Sequence, residues 1–296
     1  MRYINIVLKH FKYDYVVLSA FDEHYFDKAC AIIPIGISAQ NKLRDYPRYK
    51  DKYLISSSRT YDILDDKIMF YHNIKHRNLL KGTKVELIPT YDNVNQCLDR
   101  HGQFIVKQKD GAGSKSNEIK KDSLHRLIKK YADQYQIQDL IDIKSIYSVN
   151  CFCVNGKLIN SINFIIDGFI EHGFYEKNSR MHIQETGEQM IEVIRNIARE
   201  FDYSGFMEIE FIHGKDGKIY LMEANPRISS NMLCMENDKS VPFNELLFYP
   251  MIDYLHGKSN RPKKYDQRTP VTFYGRDKIG DHHTSTNNSN VIKFTF

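Results

Sequence analysis

The stretch GFMEIEFIHGKDGKIYLMEANPRISSN, residues Gly205–Asn231, decides how the chain folds. It contains two runs rich in apolar residues, Phe206–Ile212 and Lys218–Ala224. The short segment His213–Gly217, with a glycine at each end of its Lys-Asp pair, separates them. Two such runs joined by a short glycine-containing loop predict an antiparallel β-hairpin.

If Gly214 lies opposite Ile219 across the loop, the register of the whole hairpin follows. That register predicts four further cross-strand pairs: Glu208 with Asn225, Ile209 with Ala224, Glu210 with Glu223, and Phe211 with Met222. Because alternate strand residues point to opposite faces, one face is apolar and the other gathers three carboxylates and a carboxamide. Facing like charges destabilise a ladder, and crowded carboxylates raise the pKa of one of them. A divalent cation removes this conflict, and these oxygen ligands suit Mg²⁺.

A solvated outer face of an amphipathic hairpin is the alternative interpretation of these carboxylates. It does not account for the Asn225-Pro226-Arg227 sequence that follows directly. Proline ends the ladder there and fixes the position of the arginine, which favours a built site.

The same run resembles the metal-binding signature of the ATP-grasp superfamily. The match is nearest to the branch of carboxylate–amine ligases that includes carbamoyl-phosphate synthetase and biotin carboxylase. The resemblance implies that Glu210, Glu223 and Asn225 bind Mg²⁺ on the ATP phosphates, with Mn²⁺ as the alternative metal. It implies that Arg227 is catalytic and faces the transferring phosphate or the acyl oxyanion. Glu208 lies on the same face but is not required by the family pattern, so it is a secondary candidate.

The resemblance also implies the fold class. This is an α+β ATP-grasp fold, in which two α+β lobes clamp ATP, preceded by a shortened α/β N-terminal domain. The predicted boundaries are 1–66 for the N-terminal domain, 67–258 for the ATP-grasp domain, and 259–296 for a basic C-terminal segment with a flexible low-complexity stretch. Within the ATP-grasp domain, the glycine-loop lobe covers about 103–140 and the metal-binding lobe about 141–258.

Three short strand-like runs support an α/β reading of the N-terminal domain: Tyr15–Ser19, Cys30–Ile37 and Tyr53–Ser57. They alternate with polar segments, as in a small α/β unit. No glycine-rich fingerprint follows any of them, so nothing indicates dinucleotide binding.

A second part of the family pattern is the run GQFIVKQKDGAGSKSNEIKK, residues Gly102–Lys121. Lys107 closes an apolar strand, where an unpaired ammonium group is costly unless it meets an anion. The resemblance implies that Lys107 contacts the α- and β-phosphates. The following loop can lay backbone N–H groups over phosphate, through Gly111, Ala112, Gly113 and Ser114. Such a loop alone would be read as a surface turn, but its position after Lys107 favours the phosphate role.

The nucleotide-binding set is completed by a helix and a hinge. Lys67 begins the predicted helix Lys67–Leu80 and resembles the lysine that reaches the nucleotide from the opposite side, although a solvated helix-start lysine is the alternative. Gln136–Ile159 resembles the hinge strand that binds adenine, followed by a hairpin that turns at Asn155-Gly156. The implied cofactor-binding hinge residues are Gln138, Asp139, Leu140 and Ile141, with adenine read by backbone groups near the last two.

The sequence departs from the family pattern just after this hinge. Lys144 and Ile146 stand where the family has glycine and glutamate. A polar contact to ribose or substrate is therefore absent or supplied elsewhere, with Asp142 as a candidate. Arg180, in the segment Asp167–His182, is a candidate for the acceptor pocket, with a solvated loop as the alternative.

Composition narrows the class of protein. The 296 residues carry a net charge of +5, with 42 basic and 37 acidic side chains. Residues 67–200 hold 20 basic and 16 acidic groups, whereas residues 201–258 hold 5 basic and 9 acidic groups. A nucleotide–metal complex between the two parts would complement both charges, its phosphates facing the basic part and its metal facing the acidic part. No basic helix or aromatic-interleaved motif predicts nucleic-acid binding. No apolar run approaches the ~18 residues of a membrane helix, and no secretory signal begins the chain.

The five cysteines have no metal-ligand spacing, and Cys151 and Cys153 are expected to be buried, reduced thiols. Together with the missing signal, they predict a cytoplasmic protein.

The leading functional hypothesis is an ATP- and Mg²⁺-dependent ligase that joins a small carboxylate to an amine, or another nucleophile, through an acyl phosphate. Its expected partners are small-molecule substrates, without nucleic acid or membrane, and the enzyme acts alone or as a homodimer. Two alternatives stay open. One is a phosphotransferase on the same scaffold, and the other is a nucleotide-binding regulatory protein that has lost catalysis.

Overall fold

The computed structural model describes residues 14, 18, 21–91, 96, 104–108, 117–119, 135–167, 170–171, 174–175, 180–229, 248–258 and 269–271. The helices in these residues are α1 (Glu23–Lys28), α2 (Ile37–Leu43), α3 (Ser58–Asp65), α4 (Lys67–His76), α5 (Glu188–Glu200) and α6 (Tyr249–Leu255), with a 3₁₀ helix at Pro47–Lys52. The strands are β1 (Val85–Leu87), β2 (Thr90–Tyr91), β3 (Phe104–Gln108), β4 (Asn117–Ile119), β5 (Tyr135–Asp139), β6 (Ile143–Val154), β7 (Lys157–Asp167), β8 (Ile170–Glu171), β9 (Phe174–Tyr175), β10 (Arg180–Gln184), β11 (Gly205–Gly214), β12 (Ile219–Asn225) and β13 (Thr269–Val271).

A seven-stranded sheet forms the centre of the fold, in the order β1-β12-β11-β6-β7-β10-β13. Its neighbours are antiparallel except for β1 and β12, which are parallel. One face carries a hydrophobic core against α3, α4 and α5. The apolar part of the other face packs against α6 and against residues 33, 35 and 54. The rest of that second face is polar, and it carries the predicted metal ligands.

The β6–β7 hairpin turns where the sequence predicts. Asn155 has φ 47° and Gly156 has φ 73°, so both residues adopt the left-handed conformation that a tight two-residue hairpin turn requires. Gly156 also donates a backbone hydrogen bond to the carbonyl of Tyr203 at 3.0 Å, which joins this turn to the start of β11. The turn prediction is confirmed.

The β11–β12 hairpin has the predicted register where the carboxylates lie. Glu208 pairs with Asn225, Ile209 with Ala224, and Glu210 with Glu223. A bulge then shifts the pairing, so Phe211 lies opposite Leu221 and His213 lies opposite Ile219. The predicted pairs Phe211–Met222 and Gly214–Ile219 are therefore wrong, because the bulge adds one residue to β12 and offsets every pair beyond it.

A four-stranded antiparallel sheet, in the order β2-β5-β3-β4, holds the predicted lysine strand and the predicted hinge. Helix α4 links it to the large sheet. Gln136 Nε2 of β5 donates to the carbonyl of Lys67 at 3.3 Å, and Tyr71 Oη donates to the carbonyl of Leu221 at 2.6 Å. The helix ends earlier than predicted, at His76, because Asn78 leaves the helical conformation with φ 55°.

The N-terminal segment differs from its prediction. Residues 30–36 and 53–57 lie in the described part of the chain but form no strand. Pro34 cannot donate to a ladder, and Gly36 is the N-cap residue of α2. A backbone hydrogen bond from Ile32 to Lys52, at 2.7 Å, joins the two segments. The predicted strand Tyr15–Ser19 lies outside the described residues except for Leu18, which is not in a strand.

Two polar contacts attach the N-terminal segment to the large sheet. Ser56 Oγ donates to the carbonyl of Ser204 at 2.9 Å and accepts from the Ser204 N–H at 2.7 Å. At the next residue, Gly205, φ is +115°, and an added Cβ would lie 3.0 Å from the Leu54 carbonyl oxygen. The chain therefore requires glycine where the N-terminal segment crosses the start of β11.

We expect Gly205→Ala to lower the free energy of unfolding by about 2 kcal/mol or more, because it adds both backbone strain and a close contact. Gly82→Ala is the matched control, since Gly82 also has positive φ, +82°, but nothing lies within 4 Å of its Cβ position. It is expected to cost about 1 kcal/mol. Urea denaturation of both variants measures the difference, and equal losses would show that the Leu54 contact is unimportant.

The remaining expectations concern cysteines and the C-terminal segment. Cys151 and Cys153 are buried free thiols, as predicted, and burial raises the pKa of the Cys153 thiol to about 12. Arg180 begins strand β10, so it does not lie in a loop. Thr269–Val271, within the predicted basic C-terminal segment, adds an edge strand to β10. Among the described residues, no helix has the length and apolar character needed to cross a lipid bilayer.

Candidate functional site

Polar side chains form two rows across three adjacent strands, β6, β11 and β12. The first row is Asn150, Glu208 and Asn225, and the second row is Ser148, Glu210 and Glu223. Side chains two residues apart on a strand share a face, so both rows lie on the same face of the sheet. The structure thus brings the predicted ligands Glu210, Glu223 and Asn225 together. Within the described residues, no three His, Cys, Asp or Glu side chains already form a metal cage.

Glu210 is the electrostatically strained member of the second row. Burial raises the pKa of its carboxyl well above the ordinary value, and the charges of Glu208 and Glu223 raise it further. Arg227 acts in the opposite direction but does not offset these effects. A divalent cation would favour the ionised form that the surroundings disfavour.

We expect Glu210→Gln to stabilise the metal-free protein. Because the folded pKa is raised, stability is fully present below the unfolded pKa and falls as pH rises towards the folded pKa. Neutral Gln removes this loss, and the melting temperature at neutral pH should rise by about 2–4 °C, equivalent to about 1 kcal/mol. Thermal melts in EDTA from acidic to neutral pH measure this gain, which should vanish at the acidic end. A lower melting temperature than wild type at neutral pH would contradict the prediction.

Asn225 and Arg227 are connected to each other. Arg227 Nη2 donates to Asn225 Oδ1 at 3.2 Å, and Arg227 Nη1 donates to the carbonyl of Ile228 at 3.3 Å. Asn225 Nδ2 donates to Glu208 Oε2 at 3.2 Å and lies 3.5 Å from Glu223 Oε1. The guanidinium group is thus held next to the predicted ligands, where its positive charge can stabilise a bound anion.

Lys67 lies at the same site. Its Nζ is 3.7 Å from Glu223 Oε2, and both side chains are largely buried, with 17% and 23% of their surfaces exposed. The N-cap Asp66 fixes the first turn of α4, because its side chain accepts from the N–H groups of Ile68 and Met69. The lysine predicted to reach the nucleotide therefore faces the metal-ligand row.

The phosphate-binding segment is described only in part. Lys107 lies in β3, and its backbone pairs with Gln136 of β5, the residue that contacts the start of α4. The loop residues Gly111, Ala112, Gly113 and Ser114 lie outside the described residues.

The predicted hinge residues lie in and after β5. Gln138 is fully buried, and its Nε2 donates to Thr90 Oγ1 at 3.2 Å. Asp139 Oδ1 accepts from Tyr91 Oη at 2.7 Å. Leu140 directly follows the strand, and Ile141 packs against the core of the large sheet. Two buried amide oxygens, Gln136 Oε1 and Gln138 Oε1, have no hydrogen-bond partner among the described residues.

The sequence interpretation missed three polar residues of this site. Ser148 and Asn150 alternate on β6 and belong to the two polar rows, a signal that becomes readable once β6 is paired with β11. Gln40 of α2 is 3% exposed, and its Nε2 donates to the carbonyl of Pro226 at 3.1 Å. No sequence pattern identifies Gln40, because its partner lies 186 residues away.

Comparison with protein families gives one match, to the ATP-grasp domain, over residues 64–231. This span is more than half of the chain and contains Lys67, the glycine loop, the hinge and both polar rows. The chain belongs to the ATP-grasp family. Its α+β fold is the ATP-grasp fold, as the signature in Gly205–Asn231 predicted. A comparison with curated proteins gave no match.

Solved ATP-grasp ligases share the fold at low sequence identity. A ligase from Chryseobacterium gregarium associated with a ribosomally synthesised peptide (RiPP), in complex with ADP and a leader and core peptide, is 16% identical, with a TM-score of 0.54, over 82% of this chain and 73% of that one. D-alanyl-alanine synthetase A from Vibrio cholerae is 15% identical, with a TM-score of 0.51, over 75% of each chain. The ligase PsnB, complexed with a minimal precursor, is 14% identical, with a TM-score of 0.50, over 75% of this chain and 69% of that one. These likenesses show that the chain shares the fold of these ligases.

The residues present fit a magnesium ion. Two carboxylates and an amide oxygen are hard ligands of the kind that Mg²⁺ takes. The raised pKa of Glu210 reflects its burial and, in addition, a like-charge conflict with Glu208 and Glu223 that a cation would remove. ATP-grasp members typically use this metal with ATP.

Proposed function

We propose that this chain is an ATP- and Mg²⁺-dependent ligase that joins a carboxylate to an amine through an acyl phosphate. The observation that supports it best is the cross-strand pair Glu210–Glu223, with Asn225 and Arg227 connected beside it. Glu210, Glu223 and Asn225 would hold Mg²⁺, which supplies neutralisation of phosphate charge when bound.

In this proposal the protein acts by positioning and charge, since phosphoryl transfer requires little covalent chemistry from it. Lys67 and Lys107 neutralise phosphate oxygens. The backbone N–H groups of residues 111–114 cover the phosphates. Gln138, Asp139, Leu140 and Ile141 form the adenine hinge. The amide oxygens of Gln136 and Gln138, which have no partner within the described part of the chain, are acceptors of the kind that a nucleobase amino group or an ordered water satisfies.

The reaction then has two steps. The substrate carboxylate attacks the γ-phosphorus, the bond to the bridging oxygen breaks, and ADP leaves. The amine attacks the acyl carbon, phosphate departs with the bonding electrons, and the amine loses its proton to solvent. Arg227 donates hydrogen bonds first to the transferring phosphate and then to the tetrahedral oxyanion.

The proposed domains follow the sequence boundaries, with 67–258 as the ATP-grasp unit. Residues 1–66 supply one side of the acceptor pocket, and the Gln40–Pro226 hydrogen bond supports this by bringing α2 to the residue before Arg227. The acceptors we propose are small metabolites, amino acids or peptides in the cytoplasm.

A screen of paired acceptors tests the proposal. Amino acids and small carboxylates are combined in pairs with ATP and Mg²⁺, and phosphate release and product mass are measured. A ligase releases phosphate only when both acceptors are present and yields a condensed product. A phosphorylated acceptor without condensation would identify a phosphotransferase. ATP-dependent thermal stabilisation with no turnover across the screen would identify a protein that binds nucleotide without catalysis.

A further inference from the structure

Glu208 differs from Glu210 and Glu223 because each of its two oxygens accepts a hydrogen bond from a neutral side chain. Ser148 Oγ donates to its Oε1 at 2.6 Å, and Asn225 Nδ2 donates to its Oε2 at 3.2 Å. Glu208 is a buried residue, with 3% of its surface exposed, whereas 23% of the Glu223 side chain is accessible. Both oxygens of Glu208 are therefore committed to hydrogen bonds within the sheet.

Ser148 is in turn oriented by its neighbour on β6. Asn150 Nδ2 donates to Ser148 Oγ at 3.3 Å, so the hydroxyl accepts from Asn150 and gives its proton to Glu208. Ser148 lies directly opposite Glu210 in the ladder, yet its hydroxyl bonds diagonally to Glu208. The hydroxyl proton is thus unavailable to the Glu210–Glu223 pair, which keeps its like-charge contact.

The bond from Asn225 to Glu208 decides which end of the carboxamide faces which neighbour. A carboxylate accepts hydrogen bonds, so it binds the NH₂ end of the amide. The oxygen end then points away from Glu208, and it accepts from Arg227 at 3.2 Å. Only the oxygen of an amide can serve as a ligand to Mg²⁺.

We propose that Glu208 is a positioning residue, anchored by Ser148, that fixes the Asn225 carboxamide with its oxygen available as a metal ligand. Glu208 itself is not a ligand. The inference rests on the proposed function, because that function assigns Asn225 to the metal.

The test measures metal binding directly. Mn²⁺ is titrated into the full chain in the presence of ADP and followed by electron paramagnetic resonance, with a thermal melt to verify folding. Glu208→Ala is expected to weaken Mn²⁺ binding about 10–100-fold, as is usual when a residue that orients a ligand is lost. Glu208→Gln keeps an acceptor for Asn225 and should stay within about threefold of wild type.

A charge-swapped pair provides the sharpest comparison. Asn225→Asp places two carboxylates within hydrogen-bonding distance and should weaken binding. Adding Glu208→Gln restores a donor–acceptor pair and should recover affinity by about tenfold, a coupling that independent sites would not show. Ser148→Ala should weaken binding severalfold. Ser145→Ala, a buried serine on the opposite face of the same strand, should leave it unchanged.

Three results would overturn the inference alone: wild-type affinity in Glu208→Ala, an equal loss in Glu208→Gln and Glu208→Ala, or no recovery in the double variant. An equal loss in Glu208→Gln and Glu208→Ala would mean that the negative charge of Glu208 is needed, as it would be if Glu208 bound the metal directly. If wild-type protein binds no Mn²⁺ with ADP, the proposed function fails, and the inference fails with it. If Glu208→Ala does not fold, the Ser148→Ala and double variants decide.

Discussion

Replacing Glu223 by Ala should abolish Mg²⁺-dependent ATP turnover while leaving the chain folded. Glu223 lies opposite Glu210, 3.7 Å from Lys67 and beside Asn225. Its loss would remove a proposed metal ligand and a partner of the largely buried Lys67 side chain. Turnover is measured as phosphate release, and folding by circular dichroism and thermal melting.

Glu86→Ala is the matched control for this variant. Glu86 lies on β1, next to β12, and forms an ion pair with Lys218 at 2.9 Å, but both side chains are about half exposed. It should keep wild-type turnover, because exposed ion pairs contribute little. Wild-type turnover by Glu223→Ala would mean that the metal ligands lie elsewhere.

Arg227→Ala should lower kcat by about 10³-fold with a smaller change in KM for ATP, by analogy with arginines that stabilise transferring phosphate. The structure holds this guanidinium beside Asn225 through two hydrogen bonds, so it is already positioned before substrate binds. Arg227→Lys keeps the charge but loses the planar fork, and it should recover only part of the rate. Steady-state kinetics with the acceptor pair from the screen measure both variants.

A change confined to KM would contradict this role, because it would indicate uniform binding of substrate and transition state. Arg195→Ala serves as the control. Arg195 is an exposed arginine on α5 whose contacts are with Glu188 and Glu192 of the same helix.

The polar face of the hairpin could be predicted because alternation along Phe206–Ala224 separates the two faces. The short loop does not fix the pairing, because Ile219 lies opposite His213 and not Gly214. The bulge then shifts the register by one residue and places Glu210 opposite Glu223, as predicted. The bulge beyond Glu210 could not be predicted in this way. It accompanies the contact of Leu221 with Tyr71, whose hydroxyl donates to the Leu221 carbonyl from helix α4.

The role of Glu208 was hidden from sequence for a similar reason. Its partner Ser148 lies 60 residues earlier, in a different hairpin, and only the β6–β11 register brings them together. In the N-terminal segment, by contrast, the sequence pattern predicted strands that do not form. Apolar runs such as Cys30–Ile37 have strand-like composition, but Pro34 and the start of α2 at Ile37 prevent a ladder there.

The contacts of Ser56 and Gln40 bear on how this protein can be divided. The sequence places a domain boundary at residue 66, yet residues before it are hydrogen-bonded to Ser204 and Pro226 on the far side. A protease nick near that boundary should leave two fragments that remain associated and are eluted together. Exchange of the first 66 residues with those of a relative would have to carry matching changes around Gly205. We therefore expect the residues before this boundary to fold together with the sheet that they contact.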